Sequence, residues 1–239
     1  MEPLATHISQ QYDAELEDIR TRVLAMGGLV ESQIEQAIVA LVRGDVPLGE
    51  AVIVNDYKVN RQEVTLDEEC TQIIARRQPA ASDLRLVIAV IKTITDLERI
   101  GDEAEKIARM AVRLAAVERP KNNYFELHAL GDHARQMVHD ALDSFARLDI
   151  EAAFRVARED QQLDKEYGGV MRQMITFMME DPRTISSALD VIWAARALER
   201  IGDHARNICE YVIYLVKGKN VRHTSLEQIE REVLGRHTG

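Results

Sequence analysis

The amino-acid sequence predicts an all-α fold in which one three-helix unit is used twice. Three observations carry this reading. No stretch shows the alternation of apolar and polar residues that marks a half-buried strand. Glycine (12) and proline (5) are scarce and fall mostly at the edges of segments with helical periodicity. A six-residue phrase, Leu97-Glu98-Arg99-Ile100-Gly101-Asp102, returns unchanged as Leu198-Glu199-Arg200-Ile201-Gly202-Asp203, and Ala104 and Ile107 are echoed by Ala205 and Ile208. Repetition at a spacing near half the chain indicates an internal duplication.

The first predicted helix covers 7–43 and is ended by Gly44-Asp45 and Pro47. The second covers 48–78 and is stopped by Pro79; the third opens at Ser82-Asp83, read as its N-cap, and runs to about 117, before Pro120. The second half repeats the plan with helices at 124–148 and 150–180, and a sixth opened by Asp181-Pro182 and closed near Lys217-Gly218. Gly27-Gly28 and Gly168-Gly169 fall inside predicted helices and are expected to mark kinks. Gly44-Asp45 aligns with Leu148-Asp149, and Asp56 and Asn60 with Asp160 and Asp164. Each half reads as an up-down-up unit with short turns. The expected division is a first repeat at 1–119, a second at 120–218, and a polar tail at 219–239 with a short helix near 226–234.

Thirty basic against forty acidic residues leave a net charge of −10 with no basic tract, which argues against nucleic acid as the ligand. No apolar run approaches the roughly 18–20 residues a membrane span needs. The N-terminal stretch carries acids from Asp13 onward and no apolar signal core, so export is not expected. Cys70 and Cys209 are too few and too isolated for a disulfide framework or a cysteine zinc site; a cytoplasmic chain with reduced thiols is expected. Without a nucleophile–base constellation, a Gly-rich phosphate loop or a dinucleotide fingerprint, the chain reads as non-enzymatic, with no catalytic residues.

The repeated phrase also carries chemistry. Glu98 and Asp102, like Glu199 and Asp203, stand four residues apart and project from one face of a helix. Ile100, Ala104, Ile107, Ala111 and Leu114 form the opposite, core-facing stripe. Leu84, Val87 and Ile91 share the acids' side, as Ile185, Ala188 and Ile192 do in the second half, so the acids are not on a plain solvent face. Asp160 and Asp164 interrupt a stripe of Val156, Tyr167, Met171, Met174 and Met178; Asp56, Asn60, Glu63 and Asp67 share one with Cys70 and Ile74. Counting from Pro79, Asn60 and Glu98 stand at equal distance, as do Asp56 and Asp102. Asp160 with Asp203, and Asp164 with Glu199, match to within one residue about Pro182. Antiparallel helices of equal rise bring each pair to one height. Several oxygen-bearing side chains at one level repel unless a cation binds, or unless Arg99, Arg200 and Arg196 fold across them as ordinary ion pairs. Gly101 and Gly202 suit close approach of a neighbouring helix or of a bound cluster. His128, His133, His139 and His204 read better as surface or cap residues than as ligands, the methionines Met171 to Met179 as core, and Trp193 as packing.

At these residues the chain resembles the PhoU family. The resemblance covers nearly the whole chain and rests on the paired phrases and on acidic motifs of four-residue spacing in the second, third, fifth and sixth helices. It implies a duplicated helical bundle that binds metal clusters, possessing no enzymatic activity, and negatively regulates phosphate uptake and phosphate-responsive signalling. The implied partners are the ATPase subunit of the phosphate ABC transporter and a sensor histidine kinase, the implied assembly a homodimer. Carried over by position, the implied metal ligands are Asp56, Glu98 and Asp102 in the first half and Asp160, Asp164, Glu199 and Asp203 in the second, with Asn60 departing from the acidic pattern. That neutral amide predicts that the first site binds metal more weakly or with fewer ions. The metal is left open among Fe, Zn, Mn and Mg, since an all-oxygen set suits several ions. Two other readings stand beside it. A ferritin-like di-metal enzyme would use Glu-x-x-His motifs, and no Glu here has His three residues on. A purely structural scaffold would use the acids only for salt bridges.

Overall fold

The computed structural model describes residues 4–117, 125–221, 224 and 228, with side chains from Gln10 onward. The described residues contain α1 (Leu4–Arg43), α2 (Val46–Asn55), α3 (Tyr57–Arg77), α4 (Ala81–Ala115), α5 (Phe125–Arg147), α6 (Ile150–Glu180), a 3-10 turn (Pro182–Thr184) and α7 (Ile185–Lys217). No strand occurs among them. Gln228 is helical, and the rest of the short helix expected near the C-terminus lies outside the described residues.

Heptad spacing explains α1. Leu16, Ile19, Val23, Met26, Val30, Ala37 and Ala40 follow one another at three- and four-residue steps or a multiple of them, and all are buried. The helix runs unbroken through Gly27-Gly28, as α6 does through Gly168-Gly169, so neither pair interrupts its helix. A methyl at Gly27 would meet Leu142 at 2.5 Å; glycine there lets α1 lie close against α5.

The duplication is repeated in backbone detail. Gly44 (φ 71°) and Leu148 (φ 55°) end the first helix of each half in the left-handed region. The next residues cap the following helices: Asp45 accepts from the Leu48 amide at 3.1 Å and Asp149 from the Ala152 amide at 3.0 Å. α4 begins one residue before the Ser82-Asp83 expected as its cap, with Ala80 at the N-cap and Asp83 inside the first turn. Asp181 caps the 3-10 turn through the Arg183 amide at 3.0 Å, and α7 starts from there.

The helix expected at 48–78 is divided at Asp56. The backbone there stays helical (φ −57°, ψ −34°), but Val59 and Asn60 both donate to the Asp56 carbonyl, at 2.9 and 3.4 Å. One tightened turn therefore places Asp56 between α2 and α3.

α4 and α7 form the centre: α4 packs on α1, α2 and α3, α7 on α5 and α6, and the two pack on each other. They run antiparallel, since Asp96 meets His204 while Glu103 meets Arg200. The repeated phrases therefore cross at the middle of the molecule. Ile100, Ala104, Ile107, Ala111 and Leu114 are buried as their periodicity predicts, together with Ile201, Ala205, Ile208 and Val212. Cys70 and Cys209 are buried free thiols, and burial pushes the Cys70 thiol up to about 12.

Polar groups also cross this seam. Asp96, 2% exposed, is paired with His204 Nδ1 (2.7 Å), accepts from Asn207 Nδ2 (3.2 Å), and through its other oxygen accepts from the Tyr211 hydroxyl (2.7 Å). Glu103 accepts from Arg200 at 2.6 Å and Lys106 at 2.9 Å. His204 is buried, which overturns its reading as a surface or cap residue. Trp193 is 61% exposed, in a row with the exposed Ile185 and Leu189, and is not a packing residue. Of the methionines, Met174 is core and Met179 is exposed.

Candidate metal centre

In the first half, α3 and α4 present their acids to one another as the hairpin register requires. Asp56 is buried; Asn60, Glu63, Glu98 and Asp102 are half-buried. Asn60 donates its amide to Asp56 Oδ2 at 3.1 Å. Burial above all pushes the Asp56 carboxyl up from its ordinary value; the Asn60 amide lowers it, the Asp102 and Glu105 charges raise it further, and the nearby Gln33 amide lowers it slightly. Glu98 is raised by burial and then by Asp102, Glu63 and Asp56, and Glu63 by burial and Asp67. These carboxylates therefore disfavour one another's charge. A methyl at Gly101 would sit 3.3 Å from both Asp56 Oδ1 and Gln33 Oε1, so this glycine leaves room for the polar cluster.

In the second half α6 and α7 do the same. Asp160 and Glu199 are buried, Asp203 is half-buried, and Asp164 lies at the exposed rim. Burial and then Asp203 raise Glu199, with Arg196 and Asp164 acting in opposite senses; burial and then Asp160 raise Asp203, opposed by Arg206 and Arg196. Arg196 donates to Glu199, and Arg206 donates to Asp160 at 2.6 Å. Gly202 answers to packing: a methyl there would meet Leu163.

The chemistry of these side chains fits a metal. Asp56 Oδ1, Asn60 Oδ1 and Glu199 Oε2 are buried without a hydrogen-bond partner. Such atoms carry a desolvation cost that a bound cation would offset. Oxygen donors without thiolate or imidazole suit Mg²⁺, Mn²⁺, Ca²⁺ or ferric iron. Among the described residues no group of three or more His, Cys, Asp or Glu side chains is placed to hold a metal ion, so the match lies in donor type and unpartnered oxygens alone.

Two features escaped the sequence reading. Gln33 of α1 is 4% exposed, and neither its Oε1 nor its Nε2 has a partner. The signal was present: Gln33 is the polar member of an otherwise apolar heptad line. Arg206 stands three residues beyond the shared phrase, at a position where the two repeats differ. The arginines expected to cover the acids divide differently: Arg196 does so, whereas Arg200 turns to Glu103 across the seam. His133 is held between Glu159 and Glu166, at 3.3 and 2.9 Å, and His128 and His139 pair with Asp132 and Glu31, away from both sites.

Comparison with known proteins gives a consistent picture. The family model described as "PhoU domain" matches residues 23–111 and again 127–212. A Pseudomonas putida protein named "Phosphate-specific transport system accessory protein PhoU homolog" is 54% identical over 98% of this chain and 91% of its own. The Escherichia coli (strain K12) protein named "Phosphate-specific transport system accessory protein PhoU" is 49% identical over 98% of this chain and 96% of its own. The crystal structure of PhoU from Pseudomonas aeruginosa superposes with a TM-score of 0.85 at 52% identity, covering 87% of this chain and all of that one. PhoU from Streptococcus pneumoniae, described as a phosphate transport system regulatory protein, gives 0.81 at 29% identity, covering 88% and 99%. No helix among the described residues is long and apolar enough to cross a membrane.

Proposed function

The chain belongs to the PhoU family, and on that footing we propose that it is a non-enzymatic, cation-binding regulator of phosphate uptake and phosphate-responsive signalling. The observation that carries the cation is the set of facing acids on α3–α4 and α6–α7, with buried oxygens that lack partners. The role in phosphate transport rests on the names of relatives that match the chain end to end.

In this reading Asp56, Asn60, Glu98 and Asp102 hold one site, and Asp160, Asp164, Glu199 and Asp203 the other. A bound divalent or trivalent ion supplies positive charge that neutralises the facing carboxylates. The chain's own contribution is rigid placement: Asn60 fixes one oxygen of Asp56, the tightened turn aims the other inward, and α4 and α7 hold their acids at matched height. The ion changes the charge that this rigidly held hairpin presents on its outer surface. The proposed readers of that surface are the ATPase subunit of the phosphate ABC transporter and a sensor histidine kinase, in the cytoplasm, with the chain as a homodimer and negative in effect.

Two measurements test this. Elemental analysis of protein purified without chelator should find bound metal, reduced in a Glu98→Ala/Asp102→Ala variant and in a Glu199→Ala/Asp203→Ala variant. A strain lacking its own PhoU, carrying a phosphate-starvation reporter, should regain repression at high phosphate when it expresses the wild-type chain. A metal-free wild type that takes up no Fe, Mn, Zn or Mg on titration refutes the cation. Full derepression with folded protein present refutes the regulatory role.

A further inference from the structure

Identical phrases do not make identical sites here. At the spacing of the repeat, Thr95 and Glu105 of the first half correspond to Arg196 and Arg206 of the second. In the second half those arginines sit on the acids: Arg196 on Glu199 and Arg206 on Asp160. In the first half none of Asp56, Glu63, Glu98 and Asp102 makes an ion pair with Lys or Arg among the described residues. Glu105, at the position of Arg206, is paired with Arg109 and still raises the Asp56 carboxyl, where Arg206 would lower it. α1 supplies to this half alone the buried amide of Gln33, whose atoms have no partner, and Asn60 Oδ1 is also unpartnered.

We infer that the halves are unequal cation sites. The first takes a hard divalent ion such as Mn²⁺ or Mg²⁺ on oxygens from Asp56, Asn60, Gln33, Glu98 and Asp102. In the second, the guanidinium groups of Arg196 and Arg206 already stand where a cation would. The inference rests on the cation-binding reading above and refines it.

The electrostatics favour this order. An ion entering the first half meets acids that make no ion pair with Lys or Arg among the described residues and are eased only in part, by the Arg99 charge near Glu98 and the Asn60 amide on Asp56. An ion entering the second must first separate two charge-assisted hydrogen bonds, and the displaced guanidinium groups then repel it at short range. Ligand charge alone ranks the sites the other way, because Asn60 replaces an acid. The arginines outweigh that: two added positive charges exceed one removed negative charge. The donor set is carboxylate and amide oxygen, which matches ions that prefer oxygen over those that seek thiolate or imidazole.

The test is calorimetric titration of chelator-stripped full-length protein with Mn²⁺. The tightest binding event should weaken by roughly tenfold or more in Asp102→Ala and in Gln33→Leu, and should be unchanged in Asp203→Ala. Arg206→Glu should add a second event of comparable affinity, and Glu105→Arg should weaken the first. Circular dichroism establishes that each variant is folded, and the charge exchange at 105 and 206 decides the matter should a truncation prove unstable. Loss of the tight event in Asp203→Ala but not in Asp102→Ala overturns the inference, as does an unchanged second half in Arg206→Glu. Two equal events in the wild type overturn the asymmetry and leave cation binding standing. A wild type that binds no ion overturns both.

Discussion

Removing the Asp96 carboxylate should be among the most damaging single changes in this chain. The side chain is 2% exposed and serves three α7 groups, at 2.7 Å to His204 Nδ1, 3.2 Å to Asn207 Nδ2 and 2.7 Å to the Tyr211 hydroxyl. A carboxylate can only accept, so Asp96→Ala strands donors at a crossing where the neighbouring Leu97, Ile100, Ile201 and Ile208 are all buried. Hydrogen bonds to a charged group contribute about 1.5–3 kcal/mol each, and breaking a buried ionic network from one side costs about 3–5 kcal/mol. The three bonds share one carboxylate and water can enter the space left, so the lower figures do not add; the expected loss is about 3–5 kcal/mol. For a chain of this size that corresponds to a fall in Tm of roughly 6–20 °C. Asp96→Asn keeps the shape and one acceptor, and its amide can donate to the Tyr211 oxygen, so it should cost less than half as much. Urea unfolding and calorimetry on the three proteins measure both differences. A loss for Asp96→Ala within about 0.5 kcal/mol, the range of ordinary surface substitutions, would refute the clamp, and so would an Asn variant as damaged as the Ala variant.

Other outcomes follow from the same geometry. Glu98→Gln removes a charge that its neighbours oppose, so in the presence of chelator it should stabilise the protein by about 0.5–2 kcal/mol while weakening cation binding; a lower Tm in chelator contradicts this. Leu148 holds φ 55° at the end of α5. Left-handed backbone costs a branched residue about 1–2 kcal/mol, and glycine gives part of that back in unfolded-state entropy. Leu148→Gly should therefore raise stability by about 0.5–1 kcal/mol in urea unfolding. Glu15 accepts from Arg77 at 2.9 and 2.6 Å, which holds its carboxyl below the ordinary value, with burial opposing. A depressed folded-state value stabilises above the unfolded value and is lost as pH falls through the folded one. Glu15→Gln should lower the Tm at neutral pH and make no difference well below the folded value; a gap that persists in acid would show that packing, not charge, is responsible.

The helices and their buried faces were legible because periodicity reports them directly. Ile100 to Leu114 lie in the core as their spacing requires, and the prolines at 79 and 182 mark the turns from which acids on adjacent helices can be brought to matched height. The division at Asp56 left no trace in composition, since its dihedrals remain helical and only the hydrogen-bond pattern changes. Trp193 could not be placed because apolar residues also cover outer surfaces. The clamp was readable in principle. Asp96 stands four residues before Ile100, on the core stripe, and His204 stands three after Ile201. A charged and a polar group on two core stripes need partners, and an antiparallel crossing of the repeats makes each the other's.

The crossing also explains why clamp and site share the same helices. At about 100° per residue, Asp96 and Glu98 point roughly 200° apart: one toward α7, the other toward α3. α4 therefore cannot rotate to ease repulsion among Asp56, Glu98 and Asp102 without withdrawing Asp96 from His204, Asn207 and Tyr211. The acids are held together by contacts made on the opposite side of the helix that bears them, and their mutual repulsion persists as stored electrostatic strain. In the second half part of this repulsion is offset within the chain, because Arg206 occupies the place of Glu105 and reaches Asp160, while Arg196 reaches Glu199. Arginine at the positions of Thr95 and Glu105 leaves one copy of a duplicated unit with Asp160 and Glu199 paired, and the other with its facing acids unpaired among the described residues.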